Sequence, residues 1–334
     1  MRPRPRLFVV AVICLASCGG GQPTPSASTT PASSEPALAP PGCVEATFAY
    51  DPAAELMLLI NCVDQFDQAS VEQIWSWDGT AWQLVDDDGP DARVVTGVAF
   101  DPERQTVVRY GGLPLDSNEC TPETWEWSQG SWAQVEAQPP SACDHEFLVH
   151  DTTRNVTLLF GGGDADGDLV AETWGWDGAT WELLADNGPS GRAHFGFLYD
   201  ESHQQALLYG GYSGNSVFND FWSWDGSAWT EINFPGPGAR SHFGWAMGAD
   251  GLLLFGGASS ASTFTSLQGD TWLLTGGRWT QLEVAGPLTR GSPALGYDAE
   301  RGVYMLHGGF DADGGPLADT WEWDGEWRCV AGCD

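Results

Sequence analysis

The chain has 334 residues, 42% of them hydrophobic, and a formal net charge of −33; it contains no lysine, and all 13 basic residues are arginine. So large an acid excess repels nucleic acid and anionic lipid head groups, which excludes a nucleic-acid partner and leaves membrane contact to a covalent anchor.

The first element is a targeting segment. MRPRPR is a basic n-region, LFVVAVICLAS is an apolar h-region too short for a dedicated span, and LASC (Leu15–Cys18) closes it. LASC resembles the lipobox of bacterial lipoproteins. The resemblance implies removal of residues 1–17, acylation of Cys18, and an exported protein held on a bacterial membrane, at the cell surface or in the periplasm. Residues 18–42 are then the lipidated Cys and a Pro/Ser/Thr tether with too few apolar side chains to fold. The tether spans roughly 30 Å as a coil and about 75 Å when extended. The processed chain keeps 10 Arg against 46 acids.

Residues 43–334 repeat. The stretches beginning IWSW, TWEW, TWGW, FWSW, TWLL and TWEW place their first tryptophans at Trp75, Trp125, Trp174, Trp222, Trp272 and Trp321, in steps of 48 to 50 residues. Upstream of five of them an apolar run ends in a Gly pair, closing on Gly112, Gly162, Gly211, Gly257 and Gly309; the first repeat has LMLLINC there. Further upstream an Arg opens a segment that ends on Asp, as in Arg93–Asp101, Arg192–Asp200 and Arg290–Asp298. A fixed period of this size predicts a repeat architecture.

Each repeat reads as four short antiparallel strands, A to D. In the third these fall at about 146–150, 156–161, 173–176 and 180–184. No helical period is sustained. Six such units predict an all-β, six-bladed propeller over residues 43–334. The period, the Gly pair and the downstream Trp together resemble the kelch repeat, as in the central domain of galactose oxidase. The resemblance speaks for the fold and leaves the function open.

Six cysteines remain beyond Cys14 and Cys18: Cys43, Cys62, Cys120, Cys143, Cys329 and Cys333. An even number in an exported chain predicts disulfides. Aligning the repeats favours 43–62, 120–143 and 329–333; the alternative joins Cys329 or Cys333 to Cys43 and closes the ring.

Seventeen of the 18 tryptophans occupy three repeat slots, Trp245 being the exception, so they are expected to pack blade on blade. Each such indole buries on the order of 200 Å². The Arg that opens strand A and the acid two residues before the first Trp (Glu123, Glu172, Asp220, Asp270, Asp319) share a rim and can pair as bidentate ion pairs.

Chemistry is sought on that same rim, built from B–C and D–A loops. His145, His194 and His242 recur two residues into strand A of consecutive blades and, with Arg192 and Arg240, are the candidate ligand-binding residues. The loop holding Asp164, Asp166, Asp168 and Glu172 is a candidate weak calcium site, although its Gly stands at the fourth place and not the sixth of an EF-hand loop. No other cofactor is expected. No catalytic triad, P-loop or dinucleotide motif is present, and a galactose-oxidase-like copper site would require a Tyr–Cys crosslink. The expected function is a monomeric, membrane-anchored binding module for a protein or glycan ligand. The alternative is a small-molecule enzyme, of sugar mutarotase or oxidase type, at the channel mouth.

Overall fold

Every blade of the ring is one four-stranded antiparallel sheet in which chain order is spatial order. The computed structural model describes residues 39–62, 71–117, 119–214, 216–233, 235–261 and 265–333; the signal segment, Cys18 and most of the tether lie outside them. Blade one is Thr47–Asp51, Leu56–Cys62, Gln73–Trp77 and Trp82–Asp86. Blade three is Phe147–Asp151, Val156–Phe160, Thr173–Trp176 and Trp181–Ala185, within one residue of expectation at each boundary. Blade six closes the set with Ala294–Asp298, Val303–His307, Thr320–Trp323 and Trp327–Ala331. The fold is therefore a six-bladed, all-β propeller.

The A strands line the channel and the B strands are the most buried. Leu158, Leu159 and Phe160 in blade three and Leu252 to Phe255 in blade five are fully enclosed. A B strand meets a neighbouring blade on either side, which explains apolar runs such as TLLF and LLLF; blades two and six also bury Arg109 and His307 there.

The Gly pair latches one blade to the next. Its second amide N–H donates to the carbonyl that opens strand A of the following blade: Gly112 to Cys143 (2.8 Å), Gly162 to Arg192 (3.1 Å), Gly211 to Arg240 (2.9 Å) and Gly257 to Arg290 (3.0 Å). Gly309 donates to Cys43 at 2.8 Å and so joins the last blade to the first. Gly309 sits at φ 89°, a region closed to L side chains, and a Cβ on Gly308 would strike the Cys43 carbonyl.

The disulfides are Cys43–Cys62, Cys120–Cys143 and Cys329–Cys333. The first lies within blade one and the second ties the B–C loop of blade two to the start of blade three. The ring thus closes through backbone and side-chain contacts, with no disulfide across the seam.

The arginines of strand A are buried and ion-paired, three of them as bidentate forks and Arg93 through one nitrogen. Arg192 meets Asp220 at 2.7 and 2.9 Å and Arg290 meets Asp319 at 2.6 and 2.8 Å. Arg240 meets Asp270 at 3.0 Å through both nitrogens, and Arg93 meets Glu123 at 2.7 Å. The same carboxylates accept the first indole N–H of strand C, as with Asp220 and Trp222 (2.8 Å). One acid therefore orients both an Arg and a Trp. Blades one and three carry Cys43 and Cys143 in the Arg slot, and there a disulfide stands in place of the ion pair.

Candidate functional site

Two residues beyond that Arg or Cys slot, the chain bends into the channel with positive φ in all six blades: Glu45 (64°), Val95 (53°), His145 (55°), His194 (47°), His242 (56°) and Ser292 (47°). Left-handed backbone at a non-Gly residue costs of order 1–3 kcal/mol and persists only where the surroundings enforce it. Here a belt of inter-blade bonds enforces it, among them Ser292 N–H to His242 O (2.6 Å), His242 N–H to His194 O (3.0 Å) and His145 N–H to Val95 O (2.9 Å). The belt presents its six side chains at the channel mouth. Because the backbone recurs in every blade, any specificity rests on the side chains.

Four of the six are titratable and they are drawn together. His194 and His242 stack with centroids 3.7 Å apart, and His145 meets His194 edge to face at 4.7 Å. Glu45, reaching across the mouth, places Oε1 3.2 Å from His194 Nδ1 and accepts the Val95 N–H at 3.0 Å through Oε2. Tyr212 stacks parallel to His194 and His242, with centroids 5.7 and 5.8 Å away, and Phe310 meets His242 edge-on at 6.0 Å. Asp144 Oδ1 lies 3.1 Å from His145 Nδ1.

The electrostatics follow from this crowding. Burial alone would raise the Glu45 carboxyl, but His194, with His145 and His242, outweighs it and holds the group at about 2. Burial opposes charge on His145, yet its bond to Asp144 and the charge of Glu45 raise its pKa. His242 is driven well below the ordinary imidazole value by burial and by the neighbouring His194. The mouth thus holds a fixed carboxylate beside imidazoles of unequal basicity.

Beneath the mouth lies a cavity of about 400 Å³ lined by all six A strands, with Phe48, Phe100, Phe197 and Trp245 on its walls. Glu45, Glu146 and Glu201 border it, and of these Glu146 is the buried one. Glu146 is buried in the slot that holds Phe195 and Phe243 in the next two blades; its Oε1 accepts the Gly97 N–H at 3.2 Å and its Oε2 has no hydrogen-bond partner among the described residues. Burial drives its carboxyl up to about 8, so it is protonated at neutral pH.

The candidates from sequence separate into groups. His145, His194 and His242 converge at the mouth. Arg192 and Arg240 do not reach it, since both guanidiniums are buried and held by Asp220 and Asp270 of their own blades. In the acidic loop, Asp164 Oδ1 accepts the Asp166 and Asp168 N–H groups at 3.0 Å, while Glu172 turns away to Ser141 and Trp174. Among the described residues, no group of three His, Cys, Asp or Glu is arranged to hold a metal. Glu45 and Glu146 were missed by sequence reasoning. Glu45 had a signal, since it stands two after Cys43 as His194 stands two after Arg192; Glu146 shares its slot with Ala46, Thr96, Phe195, Phe243 and Pro293, which set no pattern for it to break.

No family model matches the chain, and no curated protein matches it. Among solved structures it is similar to that entitled "Structure of YjhT", with a TM-score of 0.69 over 87% of this chain and 98% of that one. At 12% identity, the likeness is one of fold alone.

Proposed function

We propose that this protein is a lipid-anchored, exported propeller of kelch type that binds a sugar or the end of a glycan in its channel mouth. The observation that carries the reading is the Glu45–His194–His242–His145 cluster, whose slot changes side chain around the ring (Glu45, Val95, three His, Ser292) while the Arg–Asp and Trp–acid pairs beside it serve the packing of the blades. A fixed carboxylate accepts hydroxyl protons, imidazoles donate and accept, and the rings of Tyr212 and Phe310 offer apolar faces beside them. Polar groups converging over an aromatic-walled cavity suit a small hydroxylated ligand. The lipobox reading of Cys18 and the tether place that mouth outside the cytoplasm. Saturation-transfer NMR with a panel of mono- and disaccharides tests the reading: at least one sugar shows transfer, and transfer is lost in Glu45→Gln. A panel with no transfer sinks it.

A second reading has its own observation. Glu45 at about 2 and Glu146 at about 8 are carboxyls whose environments drive them apart, and both bond to N–H groups of one short stretch, Val95 and Gly97. Such a pair suits proton transfer, with one ionised acceptor and one protonated donor. The enzyme on this reading interconverts forms of the bound sugar. Acceleration of anomer exchange, absent in Glu146→Gln, distinguishes it from binding alone.

A further inference from the structure

On the face opposite the mouth, the A–B hairpins of blades two, three and six each send an arginine over the C–D turn of the next blade. Arg104 is held by Asp101 (2.7 Å) and Glu126 (2.7 Å), and its Nη1 lies 2.9 Å from where a Gly178 Cβ would stand. Arg301 is held by Asp298 (2.7 Å) and Glu322 and crosses Gly79. Arg154 is held by Asp151 (2.7 Å), crosses Gly226 and donates to the Asp225 carbonyl. In each case the guanidinium fills the gap between two blades, clasped by the hairpin Asp and laid on a glycine turn.

Blade four keeps the hairpin Asp and loses the arginine. His203 takes that place; its Nδ1 bonds Asp200 at 2.7 Å, and its ring is too short to cross to blade five, so it stands 72% exposed. The turn opposite, Gly276–Gly277, has no described residue within 4 Å of either Cβ position. Between them runs a groove of about 780 Å³, with Leu274 and Met247 on its floor and Asp200, Glu201 and Asp250 on its walls.

We propose that this groove is a docking site for an arginine side chain of a partner polypeptide. The fold itself shows the occupant three times over, as an intramolecular guanidinium on an aspartate and a glycine turn. The acidic walls complement a cation, and the apolar floor suits the guanidinium's weakly hydrated faces and methylene stem. A lysine ammonium lacks the flat fork that the other three junctions clasp. The site is separate from the channel mouth, and its test does not depend on that reading.

Calorimetric titration of the full chain with acetyl-Gly-Arg-Gly-amide, its lysine and citrulline counterparts, and free arginine tests the proposal. The arginine peptide binds, the other two peptides bind at least about tenfold more weakly, and free arginine, which lacks the flanking peptide groups, binds more weakly than the peptide. His203→Arg fills the groove from within: it abolishes peptide binding and raises the melting temperature by about 2 °C. Four results would overturn the proposal: no binding of the arginine peptide at millimolar concentration, equal binding of the lysine peptide, free arginine binding as tightly as the peptide, or unchanged peptide binding by His203→Arg.

Discussion

The indole N–H of Trp82 in the first blade donates to the hydroxyl of Thr320 in the last at 3.0 Å. The same bond joins Trp181 to Thr124 (2.9 Å), Trp229 to Thr173 (2.8 Å) and Trp327 to Thr271 (2.9 Å). Where the Thr is absent, the bond changes. Ile74 occupies the slot in blade one, and Trp132 turns to Asp86 at 3.0 Å; Phe221 occupies it in blade four, and the Trp279 N–H finds no hydrogen-bond partner among the described residues. The tryptophans are therefore an inter-blade fastening.

Truncating one should cost stability and spare the mouth. Trp82→Ala removes a buried indole at the ring seam, a loss of about 3–5 kcal/mol, whereas Thr320→Val removes one hydroxyl with its bonds to Trp82 and to His307 Nδ1 (3.0 Å), about 1–2 kcal/mol. Calorimetric melting should rank parent, Thr320→Val and Trp82→Ala in that order. Equal melting of Trp82→Ala and the parent contradicts the fastening.

The Arg–Asp forks should behave as buried ion pairs. Asp270→Asn leaves the buried Arg240 guanidinium without its counter-charge, and about 3 kcal/mol is lost. Denaturant unfolding measures it; a loss below about 0.5 kcal/mol would place the pair among weak surface bridges.

Glu146 makes stability fall with pH. Its folded pKa, about 8, stands above the ordinary carboxyl value of 4.5, so the folded state holds the extra proton. The stabilisation is complete below pH 4.5 and is lost as pH rises through 8, amounting to at most about 5 kcal/mol. Glu146→Gln should match the parent at pH 4.5 and melt higher at pH 8. Parallel curves for the two proteins would refute the assignment.

The anchor has its own test. Cys18→Ala should move the protein from the detergent phase to the aqueous phase; identical partitioning of mutant and parent would remove the lipoprotein reading.

Much of the fold was legible because its causes are local and repeated. The Gly pair, the W-x-W strand and the Asp-Gly turn recur at one period, and the Cys spacings, set against that period, favoured the pairs that form. What those features touch was not legible. The partner of Gly309 is Cys43, at the far end of the sequence repeat, and the carboxylate at Asp220 serves Trp222 as well as Arg192. The site was half legible: three histidines in one slot were visible, but Glu45 was passed over because a carboxylate does not match the imidazoles that mark the slot in three other blades. That Arg192 and Arg240 are consumed inside the blade follows from burial, which the sequence pattern does not report.

The most direct test of the channel mouth as the ligand site is the dissociation constant of the best-binding sugar, for the parent and for Glu45→Gln, by calorimetric titration at pH 7. Glu45→Gln keeps an acceptor for the Val95 N–H and removes only the charge facing His194. The account predicts a folded variant that binds at least about tenfold more weakly, a loss of about 1.4 kcal/mol. Binding as tight as the parent's would contradict it.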